Sequence, residues 1–408
     1  MSRRRRWPNV KGRESRVENP RERLMVTLAS AGARLLAPLL ARPAAAPPAE
    51  ILLLRLDRIG DVLMSLPAIG ALRDALPEAK IRLAVGEWSK EIAQDAPVDE
   101  VLVWSAPWVG RKDEGARSLV SLFQVARSRV ALRPDLAIDL QGDSRAMWLM
   151  AATGARARAG YANTGSAALL TAIADLDEDV SFVEQNYRAI EAALGRAVPR
   201  KPFRWLDEER RARGAALLAR HLTEAGLFPK GPLIGIHPGA GRRIKEWPVE
   251  RFVELGRRLV KEKGATLVVT GSSGEAARAG AISAALQGAA LDLSGRQTLG
   301  ALAEVMSACD AFVSCDTSAM HFACALGLPS VAIFGPSDPR RYFSGGDQGF
   351  GSGRRHIALA PALWCSPCNL IRRPPEECDR APVPECLDRI TTAAVFDATV
   401  SVLQTARA

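Results

Sequence analysis

The sequence predicts an α/β protein made of two doubly wound domains, each a parallel sheet wrapped by helices. Short apolar runs of strand length alternate with stretches of helical periodicity, the pattern of βαβ units. The alternation is interrupted once, by a segment rich in proline, and then repeats. Glycine, acidic and basic residues gather just behind the apolar runs, where open α/β sheets bind their ligands. A length of 408 residues suits two or three domains, and 48% hydrophobic with 25% charged residues excludes a wholly disordered or fibrous chain.

Residues 1–49 read as a basic arm, an amphipathic helix and a Pro/Ala linker. Nine Lys/Arg against three Glu in residues 1–23, together with Arg34 and Arg42, hold most of the net charge of +10. The basicity therefore belongs to the arm and not to a groove across the body, which argues against nucleic acid as a partner. Leu24, Leu28, Leu35, Leu36, Leu39 and Leu40 then recur among Ala and Arg. That pattern suits a helix lying on an anionic membrane surface, and equally a helix docked on the core. Arg34 and Pro38 interrupt the run, so a membrane span is not expected, and its distance from Met1 disfavours a secretory signal.

A first domain is expected over 50–205. Ile51–Leu56 reads as a strand, Asp61–Leu76 as a helix, Lys80–Val85 and Val101–Trp104 as strands, Leu119–Leu132 as a helix and Leu136–Leu140 as a strand. Residues 206–231 read as an interdomain linker around one charged helix, Glu208–Ala225. The second domain, 232–408, repeats the scheme. It begins with strand Leu233–Ile236, helix Val249–Lys263, strand Thr266–Thr270 and helix Glu275–Leu286. Helix Leu299–Ala308 and strands Ala311–Ser314 and Ser330–Phe334 follow.

Three turns carry chemistry. Behind Ile51–Leu56, Asp57-Arg58-Ile59-Gly60-Asp61-Val62 enters a helix. Gly60 lets the backbone approach a ligand, and Asp61, in the first helical turn, either complements the helix dipole or accepts a proton from a substrate hydroxyl. Behind Leu233–Ile236, His237-Pro238-Gly239-Ala240-Gly241 leads to Arg242, Arg243 and Lys245. Glycine amides and cations together suit a phosphate-bearing ligand, although the loop is neither a Walker A motif nor a dinucleotide fingerprint. Behind Ala311–Ser314, Asp316-Thr317-Ser318 opens a helix that runs past His321. Free amides and hydroxyls there suit an anion and Asp316 suits sugar hydroxyls, with simple helix capping as the alternative.

Four segments together resemble glycosyltransferase family 9, the ADP-heptose:lipopolysaccharide heptosyltransferases. They are Arg55-Leu56-Asp57-Arg58-Ile59-Gly60-Asp61-Val62-Leu63, Lys245-Glu246-Trp247-Pro248, Asp316-Thr317-Ser318-Ala319-Met320-His321 and Phe334-Gly335-Pro336-Ser337-Asp338-Pro339. The resemblance runs from about Ile51 to the C-terminus. It implies a GT-B fold, two Rossmann-like domains across a cleft, and an inverting, metal-independent transfer of a sugar from a nucleotide diphosphate to a hydroxyl of the lipopolysaccharide core. It implies Asp61 as general base, with Arg58 and Gly60 on the acceptor side. It implies Lys245 as the cation on the donor diphosphate and Asp316 as the sugar-binding carboxylate. Thr317 and Ser318 would form the phosphate turn with His321 behind it, His237, Gly239 and Gly241 would line the donor loop, and Glu275 would hold the ribose.

The chain departs from that pattern in two places. Gly239-Ala240-Gly241 stands where relatives often carry Ser or Thr, and Ser318 where many carry glycine, so sugar and base specificity stay open. No cofactor is expected for catalysis. Cys365, Cys368, Cys378 and Cys386 have the spacing C-x2-C-x9-C-x7-C, whose first pair is compatible with a structural zinc or iron–sulfur site and whose second pair is irregular. Reduced thiols are the default reading. The expected partners are ADP-heptose, a lipopolysaccharide-core or other lipid-linked acceptor and the inner face of the cytoplasmic membrane, for a cytoplasmic protein peripheral to it. The competing functions are a glycosyltransferase with another nucleotide sugar, a nucleotide-sugar epimerase, and a non-catalytic membrane-surface scaffold.

Overall fold

A computed structural model of the chain describes residues 20–40, 47–104, 132–162, 165–177, 179–201, 203, 205–346, 349–350, 355–368, 378 and 383–407. The basic arm up to residue 19, the expected helix Leu119–Leu132 up to residue 131 and much of the cysteine loop lie outside these residues. The described residues fall into two compact units, one within 1–178 and 182–201 and one within 179–181 and 202–408.

The first unit is a six-stranded parallel sheet. Its strands are β1 Glu50–Arg55, β2 Lys80–Val85, β3 Glu100–Val103, β4 Leu136–Asp139, β5 Ala157–Tyr161 and β6 Ala172–Ala174, in the order β3-β2-β1-β4-β5-β6. Ile51 to Leu54 are fully buried, as expected of a central parallel strand covered on both faces. Helices Ile59–Ala75 and Phe182–Leu194 pack together on this sheet, fastened by Asn186 Nδ2 donating to Met64 O at 3.0 Å. The strand order reverses between β1 and β4, with Leu54 beside Asp139. Ligands of open sheets sit outside such a switch point, so the turns after β1 and β4 are the informative ones.

The second unit repeats the plan. Strands β7 Leu233–His237, β8 Thr266–Val269, β9 Ala290–Asp292, β10 Ala311–Cys315, β11 Ser330–Ile333 and β12 His356–Leu359 lie in the order β12-β11-β10-β7-β8-β9, all parallel. Its switch point falls between β7 and β10, where Ser314 pairs with His237. The helix Glu208–Glu224, which the sequence places between domains, belongs to this unit and packs on Leu299–Ser307. The contact is backbone-close: a Cβ on Gly214 would lie 1.9 Å from Glu304 O, and Arg210 and Arg213 clasp the Glu304 carboxylate at 2.9 and 3.1 Å.

The predicted strands are all present among the described residues, with ends shifted by at most one residue. Strands β5, β6, β9 and β12 and helices Ser144–Ala152, Phe182–Leu194 and Thr392–Arg407 are additional. Strand β5 reads Ala-Arg-Ala-Gly-Tyr, and its Arg158 is buried by donating from Nε to Leu169 O and from Nη1 to Ala155 O. Among the described residues no helix is long and apolar enough to cross a membrane.

Candidate active site

In the first unit one buried cation organises the turn behind β1. Arg55 ends the strand with its side chain 3% exposed, because a parallel central strand leaves no route to solvent. Its guanidinium stands between two carboxylates, with Nε 3.2 Å from Asp57 Oδ1 and Nη2 3.6 Å from Asp61 Oδ1. Nε also donates to Asp61 O at 3.1 Å and Nη1 to Leu140 O. Asp61 is the third residue of helix Ile59–Ala75, and its Oδ2 accepts the Arg58 N–H at 3.3 Å. It is thus both the helix acid and a carboxylate open to solvent on its other side, 27% exposed. Arg58 is an exposed N-cap residue and Gly60 is buried.

Asp57 and a third acid, Asp139, are the more buried members of this group. Burial raises the Asp57 carboxyl to about 8 in spite of Arg55, and Asp61 and Asp139 push it the same way. Asp139, at the end of β4, is raised to about 7 by burial, although its carboxylate accepts N–H groups of Gln141, Gly142 and Asp143 at 2.9 to 3.1 Å. Three carboxyls around one guanidinium cannot all ionise at low cost, and of the three Asp61 is the one most open to solvent.

In the second unit Lys245 and Asp316 come together. Lys245 closes the short 3-10 turn Arg243–Lys245, which is fixed from behind by Trp247. That indole is fully buried, donates from Nε1 to Ile390 O at 2.9 Å and meets Phe252 edge-on at 4.9 Å. The Trp247 N–H reaches Cys315 Sγ at 3.3 Å, tying the loop after β7 to the end of β10. Lys245 Nζ then lies 2.6 Å from Asp316 Oδ2, with the two side chains 13% and 5% exposed. Thr317 is the N-cap of helix Ser318–Ala325 and its side chain makes no cap hydrogen bond to the first amides of this helix. The His321 ring is 6% exposed and its Nδ1 lies 2.9 Å from Ser344 Oγ.

A second cluster of the same unit surrounds Glu275. His237 Nδ1 bonds Thr270 Oγ1 at 3.1 Å and its Nε2 lies 3.7 Å from Glu275 Oε2, which also accepts Ser272 N–H and Oγ–H at 2.7 Å. Burial alone would raise the Glu275 carboxyl, but His237 and Ser272 outweigh it and hold it down at about 2. A Cβ on Gly239 would fall 1.9 Å from Glu275 Oε1, so glycine there lets the loop lie on the carboxylate. At Gly241 a Cβ would meet nothing within 4 Å, and the protein's own packing does not require glycine there.

Sequence reasoning quoted Arg55 and Asp57 without giving them a part, and it passed over Asp139. Their signal is position: each ends or follows a buried strand at the switch point. None of the four cysteines is in a disulfide, and among the described residues no group of three or more His, Cys, Asp or Glu is arranged to hold a metal ion. Cys386 is buried beside Gly335 and its thiol is pushed up to about 11 by that burial and then by the other three thiols.

The model of glycosyltransferase family 9 (heptosyltransferase) matches residues 124–373, more than half of the chain. The protein belongs to glycosyltransferase family 9. A lipopolysaccharide heptosyltransferase 1 of Pseudomonas aeruginosa is 27% identical over 343 residues, covering 78% of this chain and 86% of the relative. Among solved structures, a family 9 glycosyltransferase of Veillonella parvula superposes with a TM-score of 0.70 at 22% identity, over 87% of this chain and 97% of that one. ADP-heptose lipopolysaccharide heptosyltransferase II of Escherichia coli superposes with a TM-score of 0.66 at 21% identity, over 88% of this chain and 100% of that one. Two six-stranded parallel sheets and these neighbours give the GT-B fold. The protein is a glycosyltransferase of the heptosyltransferase family.

Proposed function

We propose that the protein transfers heptose from ADP-heptose to a hydroxyl of the lipopolysaccharide core, with inversion and without a metal, at the cytoplasmic face of the inner membrane. The observation that carries the reading is the pairing of Lys245 with Asp316 beside an uncapped helix start, a site with cation and amides for a diphosphate and a carboxylate for sugar hydroxyls. The E. coli relative named for ADP-heptose supports this donor.

In this reading the acceptor oxygen attacks the anomeric carbon as Asp61 takes its proton. The bond from that carbon to the diphosphate oxygen breaks, and the electron pair leaves with ADP. Lys245 and the amides at Ser318 and beyond meet the growing negative charge, which removes the need for a metal. Lys245 exchanges its bond to Asp316 for the phosphate, and Asp316 is released to the sugar. Glu275, with His237 and Ser272 already on one oxygen, offers the other to the ribose. Arg58 and Gly60 line the acceptor side, and Gly239, Gly241, Thr317 and Ser318 the donor side, with His321 bracing the helix.

The experiment is incubation with ADP-heptose and a truncated lipid-linked core acceptor in the presence of EDTA, with the product's anomeric configuration read by NMR. The expected product carries the configuration opposite to the donor's. Retained configuration, or activity restored only by added divalent metal, would refute the mechanism. Turnover with UDP- or GDP-sugars and not ADP-heptose would keep the fold chemistry and replace the donor.

A further inference from the structure

The helix Pro20–Leu40 is held to the first unit by its small residues and turns leucines to solvent. At about 100° per residue, Val26, Ser30 and Ala33 share one face. Ala33 is fully buried, and Ser30 Oγ accepts the Ser166 N–H at 3.0 Å. The Ser166 hydroxyl in turn accepts Trp148 Nε1 at 3.2 Å. A Cβ on Gly165 would stand 2.6 Å from Val26 and 2.7 Å from Ser30 Oγ, and one on Gly32 3.7 Å from the Trp148 ring. Docking on the protein therefore uses the face of small residues. Leu24, Leu28 and Leu35 lie on the opposite face, 60%, 60% and 78% exposed, with Leu36 beside them at 41%.

The surrounding sequence says what covers this stripe. From Leu24 to Ala49 there is no acidic residue, while Arg34 is exposed and Arg42 follows. Residues 1–23 add nine Lys/Arg against three Glu. A second copy of the chain would cover the leucines only by bringing two strongly basic arms together. A surface that is apolar below and anionic above fits both features.

We infer that this helix and the arm before it dock the protein on an anionic phospholipid surface, the leucines entering the headgroup boundary and the cations meeting lipid phosphates. The inference rests on the proposed function for its purpose, delivery of a lipid-linked acceptor, but its chemistry involves neither donor nor acceptor. The stripe is small, so binding is reversible and needs both contributions.

Sedimentation of the full chain with phosphatidylcholine vesicles, with and without phosphatidylglycerol, tests it. The parent should partition onto the anionic vesicles, release in high salt, and ignore the neutral ones. A variant carrying Leu24→Ser, Leu28→Ser and Leu35→Ser should lose at least about tenfold in partition while keeping the parent's melting temperature and ADP affinity. Unchanged partition of the variant, or equal binding of the parent to neutral vesicles, overturns the inference. So does a parent dimer in light scattering that the variant converts to monomer, since the stripe is then a self-contact. Because no vesicle contains acceptor, sedimentation that persists in a protein without transferase activity would leave this surface standing when the catalytic reading had failed.

Discussion

The two units place the same device, a buried parallel strand running into a helix start, at their switch points, and fill it differently. After β1 the helix start already carries a protein anion, Asp61, which accepts the Arg58 N–H and is steadied by Arg55. After β10 the N-cap side chain makes no cap hydrogen bond, and Asp316, the residue before the N-cap, is engaged by Lys245 instead. A helix start neutralised by its own acid has no affinity for a second anion but holds a base ready for a neutral hydroxyl. One left open with a lysine beside it attracts an anionic ligand. In the proposed function this difference corresponds to acceptor chemistry in the first unit and donor chemistry in the second.

The sharpest way to break the contrast is Asp61→Asn. It keeps the cap geometry and removes the base, so transfer should fall by roughly 10²–10⁴-fold in initial-rate assays. ADP affinity should stay within about twofold, and a matching loss of ADP affinity would mean that Asp61 belongs to the donor side after all. Lys245→Ala should do the reverse. ADP binding should weaken by about 10–100-fold, the worth of one hydrogen bond to a charged group, and the loss should shrink as salt rises. Since the substitution also strands Asp316 as a buried charge, Lys245→Met with Asp316→Asn separates the two effects.

Gly239→Ala sharpens the donor side. The new Cβ would stand 1.9 Å from Glu275 Oε1, so loop or carboxylate must move, at roughly 1–3 kcal/mol. Gly241→Ala, with nothing within 4 Å, should leave the melting temperature unchanged, and any loss of ADP affinity there would come from the ligand's own approach.

A pH-dependent effect concerns the spare acid of the first unit. Asp57 moves from an ordinary 3.8 to about 8 on burial. Between those values the folded chain keeps a proton that the unfolded chain has released, so this group's contribution to stability falls as the pH rises. Asp57→Asn should therefore gain stability relative to the parent between pH 5 and 8 by at least about 1.4 kcal/mol in urea melts, the equivalent of one unit of pKa. A difference between parent and variant that does not change with pH would mean that Asp57 is ionised beside Arg55.

Most strands and the three chemical turns were legible in the sequence because central parallel strands are continuous apolar runs and their turns carry unusual residues. Strands β5 and β9 escaped because Arg158 and Gly160 break the first, and Ala290–Asp292 is only three residues long. The face of the N-terminal helix was undecidable from its leucines, since the docking side is made of Val26, Ser30 and Ala33, whose partners Gly165 and Trp148 lie far along the chain. The Arg55 cluster was half legible: the residues stood in the motif, but their sharing of one guanidinium with Asp139 depends on β1 pairing with β4.

The most direct test of the division between the units is a calorimetric titration of ADP, without metal, into the parent, Asp61→Asn and Lys245→Ala. The account predicts that parent and Asp61→Asn bind alike and that Lys245→Ala binds at least about tenfold more weakly. Equal binding by all three, or weakened binding by Asp61→Asn alone, would contradict it.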